Sequence, residues 1–347
     1  MKIGILTHPQ YINYGGILQC FALSSYLREK GHEPIIIQRT TYKSSIIKRI
    51  VLSIMKITGI YYLCKGRHSR DICIQPFVKK YIKRTPIIDS QQKMCKICKK
   101  YNFKAVIVGS DQVWRKSFAI NYQYNYFLDF VPQNIIKASY AASFGINEWD
   151  YNEEETKRIS FLLKNFDYIS VREKEGKELC KRYLNVNAQV IIDPTLLLDS
   201  NYYDKYTSSR LIKDNYIFIY WLGEESEIPS ILFNHQNKNL KTKIITLRGS
   251  HILESVEDWL SYIKYSDLVL TDSFHGCVFS LIFKKQFVVY CNQSGGYGRI
   301  ETLFESLDLK NKLINPETPI DYSKVTLKMT LLQQQGYEYI SQILASN

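Results

Sequence analysis

The hexapeptide TDSFHG at residues 271–276 places a hydroxyl, a carboxylate and an imidazole between a strand-like run and an apolar helical run. In an open α/β sheet such a junction lies at the carboxyl end of a strand, where ligands bind. Histidine transfers protons near neutral pH and carboxylates accept them, so His275 and Asp272 are candidate catalytic residues. Ser273, Gly276 and the N–H groups of the helix start would hold an anionic ligand. The structural alternative is that Asp272 or Ser273 caps the helix and His275 is an ordinary first-turn residue.

A second cluster follows the apolar run VIV at residues 106–108, which continues as Gly-Ser-Asp-Gln. Ser110, Asp111 and Gln112 are therefore expected at the same kind of strand end. Asp111 is a candidate acceptor of a proton from a substrate hydroxyl, or else a cap of the next turn. The recurrence of small polar residues at strand ends favours the functional interpretation.

Two arginines are candidates for anion binding. Arg172 stands directly after the strand-like run YISV, and a guanidinium fixed there can bind a carboxylate or phosphate through two hydrogen bonds. The alternative is an ion pair with Glu173 or Glu175, although both are too close in sequence for ideal geometry. Arg299 follows the glycine-rich stretch 295–298, which is either a lid or an ordinary loop before an amphipathic helix.

The stretch NYGG follows the first predicted strand and opens a predicted helix. Gly15 and Gly16 permit close approach of the backbone, and the helix start offers unpaired N–H groups. Together with Asn13 and Tyr14 they form a candidate anion-binding or acceptor loop, or else a simple strand-to-helix turn. The stretch is not G-x-G-x-x-G and no Walker-type Gly-Lys-Ser/Thr occurs, so no nucleotide fingerprint is supported.

Other catalytic signatures are missing from the sequence. It contains no Gly-x-Ser-x-Gly elbow and no His-Glu-x-x-His, which disfavours hydrolase and metalloprotease activity. Cys95 and Cys98 form a single C-x-x-C without a second pair at zinc-site spacing. We therefore expect neither a metal site nor a cofactor.

Two blocks of alternating strands and helices must position these residues. Strands are predicted at 2–6, 34–38, 104–109, 135–141, 167–171 and 188–192, and then at 216–221, 243–247, 267–271 and 286–290. Helices are predicted at 15–30, 152–165, 173–184, 228–238, 255–264, 275–284 and 324–344. Such alternation is typical of parallel sheets covered by helices. The predicted fold is α/β, with two doubly wound Rossmann-like domains at 1–198 and 199–322 facing a central cleft, and a C-terminal helix at 323–347 whose expected course leads back to the first domain.

Positive charge is concentrated in one segment of the 347-residue chain. Residues 43–104 hold 16 Lys/Arg against two acids, a net +14, whereas the whole chain carries +13. The candidate partners are an anionic substrate, an anionic membrane face and nucleic acid, but the sequence contains no recognised nucleic-acid-binding module, so nucleic acid is disfavoured. Residues 46–57, if helical, would lie on a membrane or pack on the first domain.

The sequence predicts a cytoplasmic protein. No apolar run reaches the length of a membrane span, and the first apolar run is too short for a signal peptide. Eight scattered cysteines lack the dense spacing of a secreted disulfide scaffold. Contact with the inner face of the cytoplasmic membrane would then be peripheral, through the basic segment.

Six stretches, in order, resemble the polysaccharide pyruvyl transferases across nearly the whole chain. They are NYGGILQ from residue 13, GSDQVW from 109, YAASFG from 140, SVRE from 170, DPTL from 193 and TDSFHG from 271. The resemblance implies a fold like that of B-type glycosyltransferases. It also implies transfer of the enolpyruvyl unit of phosphoenolpyruvate to two hydroxyls of one sugar, leaving a pyruvate ketal, during bacterial surface polysaccharide synthesis. The acceptor would be a polyprenyl-diphosphate-linked oligosaccharide, and no cofactor is implied.

By the same resemblance, Arg172 and His275 grip phosphoenolpyruvate. Family members with Arg-Leu-His at this junction have a second arginine where this chain has Ser273. Either another cation, Arg299 or Arg248, replaces that arginine, or phosphoenolpyruvate is bound differently in this branch.

Two other kinds of protein remain as alternatives. A nucleotide-sugar-dependent glycosyltransferase on the same fold is disfavoured because no convincing pair of acids after Asp272 is spaced to hold a ribose. An inactive glycan- or partner-binding module is favoured by the missing arginine and disfavoured by the intact Arg172 and His275. His8 and His251 compete with His275 as general acid, but neither opens a helix.

Overall fold

The computed structural model describes residues 1–9, 13–40, 70–118, 121–228, 230, 241–246, 254–290 and 297–345. The basic segment is therefore described only from residue 70. The predictions for the stretch 46–57, for most of the helix 228–238, and for Arg248 and His251 lie outside the described residues.

Six parallel strands form the first sheet, in the order β2-β1-β3-β4-β5-β6. They are β1 (Lys2–Leu6), β2 (Glu33–Ile36), β3 (Ala105–Asp111), β4 (Ile136–Ala142), β5 (Ser170–Val171) and β6 (Gln189–Val190). Ile3 of β1 pairs with Pro34 of β2 on one side and with Ala105 of β3 on the other. The strands β1 and β3 are buried almost throughout, as expected for parallel strands covered on both faces.

Four parallel strands form the second sheet, in the order β10-β9-β7-β8. They are β7 (Tyr216–Trp221), β8 (Lys241–Thr246), β9 (Leu268–Thr271) and β10 (Phe287–Val289). In each sheet the first strand lies inside, with later strands on both sides of it. Each sheet is therefore doubly wound and has a switch point at its carboxyl edge, as predicted.

Helices connect the strands. They are α1 (Tyr14–Glu29), α2 (Arg70–Cys73), α3 (Gln75–Tyr81), α4 (Gln91–Cys95), α5 (Ile97–Tyr101), α6 (Glu153–Leu163), α7 (Lys174–Leu184), α8 (Ser200–Asp204), α9 (Val256–Tyr265), α10 (Phe274–Ile282), α11 (Tyr297–Ser306), α12 (Asn311–Ile314) and α13 (Tyr322–Ala345). α1 is buried almost to its last turn because it packs against β2, β3 and the 3-10 helix Pro194–Leu197.

All ten predicted strands are present, and the differences have simple causes. The strands predicted at 167–171 and 188–192 have only two residues each, at the end of the sheet where pairing is weakest. The short helices α2 to α5 were not predicted, because runs of four to seven residues are too short to show a helical apolar period. The stretch 295–298 before Arg299 was predicted to be a lid or a loop, but α11 already begins at Tyr297, so Arg299 lies within the first turn of the helix.

The C-terminal helix α13 contacts both halves of the molecule. Near its start, the Tyr322 hydroxyl donates to the carbonyl of Ser280 at 3.3 Å. Further along, Gln333 donates to the carbonyl of Leu196 at 2.8 Å, and Tyr339 donates to that of Ser139 in β4 at 2.9 Å. The helix thus contacts α10, which covers the second sheet, and β4 of the first sheet. The domain boundaries after residues 198 and 322 stay predictions.

Candidate active site

Two helices begin at the carboxyl edges of the two sheets. α1 is capped by Asn13, whose Oδ1 accepts from the N–H of Gly16 at 2.6 Å. α10, which follows β9 of the other sheet, is capped by Ser273, whose Oγ accepts from the N–H of Gly276 at 3.3 Å. The N-terminus of a helix carries partial positive charge. The N-termini of α1 and α10 lie next to each other, with Gly15 against His275. Ser273, rather than Asp272, is therefore the cap of α10.

His275 fills the space that Gly15 leaves open. A Cβ placed on Gly15 would lie 2.1 Å from His275 Nδ1, which no real contact allows. Gly15 was predicted to permit close approach of a ligand; the structure instead uses its missing side chain to admit the imidazole from the opposite sheet. Gly276 has a comparable packing role, because a Cβ there would lie 2.3 Å from Thr271 Oγ1.

Asp193 lies at the centre of the cluster and is 1% exposed. Its Oδ2 accepts from Arg172 Nη1 at 2.6 Å and from Ser110 Oγ at 3.2 Å, and lies 3.6 Å from His275 Nε2. Its Oδ1 accepts from the backbone N–H and the hydroxyl of Thr195. Burial raises the pKa of Asp193, but His275, Arg172 and Thr195 outweigh burial and hold this pKa well below its usual range. Asp193 is thus an ionised anchor for the arginine and the histidine.

Arg172 is buried, and only part of its hydrogen-bonding capacity is used. Its Nη2 lies 3.6 Å from Asp111 Oδ1, and neither Nε nor Nη2 has a hydrogen-bond partner among the described residues. Burial lowers the pKa of Arg172, but Asp193, Asp111 and Glu173 raise it above its ordinary value. The alternative prediction, an ion pair of Arg172 with Glu173 or Glu175, was wrong, because Arg172 forms its ion pair with Asp193. Glu173 Oε1 instead accepts from Ser143 and from two backbone N–H groups.

Phe274 brings a second arginine beside the first. The guanidinium carbon of Arg172 lies 4.8 Å from the centre of the Phe274 ring, and that of Arg299 lies 5.7 Å from it. Arg299 Nε is buried and has no partner in the described part of the chain. Burial and the charge of Arg172 lower the pKa of Arg299 to about 10. Two neighbouring cations with unused N–H groups make a site for an anion.

Asp111 is placed at the end of β3 facing the start of α1. A Cβ on Gly16 would lie 3.5 Å from Asp111 Oδ2. Burial raises the pKa of Asp111, but His8, Arg172, His275 and Arg299 together lower it below its ordinary value. Its backbone has a φ of 78°, a region that only glycine, asparagine and aspartate visit readily. The carboxylate is therefore ionised and able to accept a proton or a hydrogen bond.

Three of the residues predicted at the site bond to other parts of the protein. Tyr14 is wholly buried, its hydroxyl donates to the carbonyl of Glu254, and its ring stacks on Trp259. Ser110 is also buried and donates to the carbonyl of Ala141 as well as to Asp193. Gln112 accepts from Arg115 at 2.9 Å.

Asp272, a predicted catalytic residue, bonds to the backbone of the neighbouring strand's loop. Its two oxygens accept from the backbone N–H groups of Leu222 and Gly223, each at 2.8 Å. Burial raises the pKa of Asp272 to about 6. The side chain therefore fixes the loop after β7, and within the described residues no hydrogen bond or ion pair links it to Arg172 or His275.

Sequence reasoning missed Asp193 and Phe274 as site residues. Asp193 follows the strand run 188–192 directly, so the strand-end rule that selected Asp111 and Arg172 could have found it. In the sequence it stood out only as the first residue of the motif DPTL, and no role was predicted for it. Phe274 carries no polar group and gave no signal. Within the ranges the structure describes, no group of three or more His, Cys, Asp or Glu could hold a metal ion.

The molecule has two parallel sheets, and the cluster of charged residues lies between their carboxyl edges. This arrangement defines a protein of two Rossmann-like domains, the B-type glycosyltransferase fold. Arabidopsis thaliana UGT89C1, solved with UDP-L-rhamnose, shares this fold with a TM-score of 0.50 at 9% identity, over 99% of this chain and 98% of that one. The UDP-GlcNAc 2-epimerase of Methanocaldococcus jannaschii matches with 0.49 at 15% identity, over 100% of both chains. That of Neisseria meningitidis, bound to UDP-GlcNAc, matches with 0.49 at 11% identity, over 97% of this chain and 100% of that one.

The sequence matches the family model of the polysaccharide pyruvyl transferases over residues 13–294. The chain belongs to this family, as its six motifs predicted, and the family indicates a transferase with a sugar or polysaccharide acceptor. A comparison with curated proteins finds no match.

Proposed function

We propose that this chain is a phosphoenolpyruvate-dependent pyruvyltransferase that forms a pyruvate ketal on two hydroxyls of one sugar. One observation carries the proposal: nitrogens of Arg172, Arg299 and His275 are buried without hydrogen-bond partners in the described structure, where two helix starts meet. An unsatisfied buried donor costs about 1–3 kcal/mol, so a ligand rich in anionic oxygens would stabilise the site. Phosphoenolpyruvate has both a phosphate and a carboxylate.

The reaction balances with these residues alone. His275 gives a proton to the methylene carbon of phosphoenolpyruvate, which becomes the methyl group and leaves positive charge on the adjacent carbon. One sugar hydroxyl attacks that carbon and loses its proton to Asp111. The carbon–oxygen bond to phosphate then breaks with the electron pair on phosphate, and the second hydroxyl attacks, its proton leaving with phosphate or solvent. The acceptor gains one pyruvate less one water, and one inorganic phosphate is released.

The charges of the cluster favour different positions for the two proposed substrates. Asp193 is already bonded to Arg172 and Thr195, whereas Asp111 is ionised and, among the described residues, accepts one hydrogen bond, from the N–H of Gln112. An anionic donor substrate is repelled by Asp111 and attracted by Arg172 and Arg299. The neutral sugar hydroxyl is therefore expected at Asp111.

The test is incubation with phosphoenolpyruvate and a panel of acceptors carrying galactose, mannose or their N-acetylated forms. We expect the product mass to rise by one pyruvate less one water, with an equal amount of phosphate released. A gain of one hexose from a nucleotide sugar would instead identify a glycosyltransferase. An acceptor that binds but stays unchanged with both kinds of donor would identify a binding module.

We further propose that the acceptor is a polyprenyl-diphosphate-linked oligosaccharide, met at the cytoplasmic membrane face. In the described part of the basic segment, the lysines at 79, 80, 83, 93, 96, 99, 100 and 104 are exposed. Clustered lysines attract anionic lipid head groups. No helix in the described ranges is both long and apolar enough to cross a membrane.

A further inference from the structure

His8 lies at the carboxyl edge of the first sheet, beside the end of β3. It follows β1 by two residues, and β1 pairs with β3 in parallel. The pairing continues past the strand, because the Thr7 hydroxyl donates to the carbonyl of Ser110 at 2.9 Å. Since the carboxyl ends of parallel strands share one edge of the sheet, His8 and Asp111 emerge on the same side.

The side chains of His8 and Asp111 interact electrostatically. Burial raises the pKa of Asp111, and the charge that lowers this pKa most is that of His8, ahead of Arg172. Arg172 Nη2 itself lies 3.6 Å from Asp111 Oδ1, which indicates that the imidazole of His8 is also close to the carboxylate. Both His8 and Asp111 are partly exposed, so a substrate and water can reach them. This edge of the sheet therefore presents two proton acceptors side by side.

Two aromatic side chains hold the imidazole of His8 in place. The hydroxyl of Tyr126 lies 3.4 Å from His8 Nδ1, and the two rings meet edge to face with their centres 5.4 Å apart. Phe118 also meets the imidazole edge to face, at 5.6 Å. Tyr126 is wholly buried and is therefore a firm support. A group that takes part in a reaction needs such a fixed position.

Phe118 adds an apolar face beside these polar groups. It is 48% exposed, and the guanidinium carbon of Arg115 lies 4.8 Å from the centre of its ring. A sugar has hydroxyls at its rim and apolar C–H groups on its faces, so a site for it combines an aromatic wall with a few polar groups. His8, Asp111 and Phe118 offer this combination.

Ketal formation takes protons from two hydroxyls, and Asp111 accepts the first of them in the proposed reaction. We infer that His8 is a second catalytic base, which accepts the proton of the second sugar hydroxyl, and this inference rests on the proposed function. The oxygen of that hydroxyl bonds to the carbon that has lost phosphate, its O–H bond breaks, and the proton passes to the imidazole and then to solvent. His8 lies before residue 13, where the family match begins.

Loss of this base predicts an altered product ratio. In His8→Gln the first hydroxyl still attacks and phosphate still leaves, but the second attack is slowed. Water then attacks the same carbon and yields free pyruvate, or a methyl proton is lost and an enolpyruvyl ether remains on one hydroxyl. We expect the ketal, measured by its methyl signal in proton NMR, to fall at least about tenfold, while phosphate release stays within about threefold of wild type. Pyruvate and the enolpyruvyl ether should account for the difference, whereas the wild type should give ketal and phosphate in equal amounts.

Two further variants accompany His8→Gln. Tyr126→Phe keeps the ring and removes the hydroxyl beside His8 Nδ1, so the ratio of ketal to phosphate should fall in the same direction but by less. His32→Gln is the matched control, because His32 precedes β2 at the amino edge of the sheet and bonds to the N-terminal amine at 3.3 Å. It should keep the wild-type ratio.

The outcomes separate this inference from the proposed function. If ketal and phosphate fall together in His8→Gln, His8 acts at an earlier step, as the general acid would, and the inference is overturned. Wild-type amounts of both products in His8→Gln and in Tyr126→Phe would overturn it as well. If the wild type itself forms no ketal from phosphoenolpyruvate, the proposed function fails, and the role of His8 falls with it.

Discussion

Gly15 at the start of α1 and His275 at the start of α10 lie in contact across the boundary between the two sheets. A Cβ on Gly15 would stand 2.1 Å from His275 Nδ1, so the position of the imidazole depends on a missing methyl group 260 residues earlier in the chain. The same imidazole has Asp193 3.6 Å from its other nitrogen. Its orientation is therefore fixed from both sides.

Gly15→Ala should displace this imidazole. Alanine stabilises a helix relative to glycine by about 1 kcal/mol, but its methyl group would overlap the imidazole of His275. Displacing a catalytic group by about 1 Å lowers turnover roughly 10²-fold. Phosphate release and thermal unfolding are measured together. Gly336→Ala is the control, because a Cβ there meets Leu197 at 2.9 Å without touching the cluster. It should lose stability and keep its turnover; wild-type turnover in Gly15→Ala would contradict the prediction.

His275→Gln separates the two roles of the histidine. A general acid contributes about 10²–10⁴ in rate, so we expect kcat to fall by that factor while the Kd for phosphoenolpyruvate, measured by calorimetry, stays within about twofold. A residue that only binds the anion would show the reverse pattern, a weaker Kd with kcat retained at saturation. Retention of both constants would make His275 an ordinary residue of a capped helix.

Arg299→Ala should weaken phosphoenolpyruvate binding without unfolding the protein. Losing one partner of a buried charged contact costs about 2–5 kcal/mol, and Arg299 makes no ion pair among the described residues whose loss would disturb the fold. Arg172→Ala is expected to weaken binding as severely, but it also leaves Asp193 buried without its guanidinium partner. Arg182→Ala, on the outer surface of α7, is the control and should bind as the wild type does. Unchanged affinity in Arg299→Ala would remove this arginine from the site.

Asp193→Asn should change stability in a pH-dependent way. The pKa of Asp193 is held well below its usual range, so its charge stabilises the fold above its unfolded pKa of about 3.9, and this contribution is lost as the pH falls below that value. Breaking a buried pair costs about 3–5 kcal/mol, so the variant should be less stable by that order at pH 7. The difference should shrink below about pH 4.

Denaturant unfolding at pH 7 and at pH 3 measures this difference. Asp199→Asn is the control, because Asp199 caps α8 at an exposed position and asparagine caps equally well. Its stability should stay close to that of the wild type at neutral pH. A gap between Asp193→Asn and wild type that is the same at both pH values would show that the charge of Asp193 does not stabilise the fold.

Replacing four lysines should reduce membrane binding. Each lysine near an anionic lipid surface contributes about 1 kcal/mol, so the combined change of Lys93, Lys96, Lys99 and Lys100 to glutamate should abolish flotation with anionic vesicles at low salt. High salt should weaken flotation of the wild type. Changing Lys177 and Lys181 of α7 to glutamate is the control. If the wild type ignores anionic vesicles at both salt concentrations, the basic segment serves another purpose.

The sequence alone determined the alternation of strands and helices, because buried parallel strands are apolar runs and each is bounded by polar turns. It also indicated Arg172, Asp111 and His275, since each follows such a run directly, and chain order places strand ends at one edge of a sheet.

Only the tertiary structure decided what each side chain contacts. Asp193 bonds to Arg172, which lies 21 residues before it in the chain, and is close to His275, which lies 82 residues after it. No local sequence pattern predicts contacts between residues so far apart in the chain. Tyr14 and Asp272 stand in motifs yet serve packing and a loop, because burial and available partners, not residue type, fix their roles. Arg299 joined the site through the ring of Phe274, a contact between two helices, α10 and α11, that the strand β10 separates in the chain. The sequence determines which chemical group each side chain carries, whereas the packing of the two sheets determines which other groups it contacts.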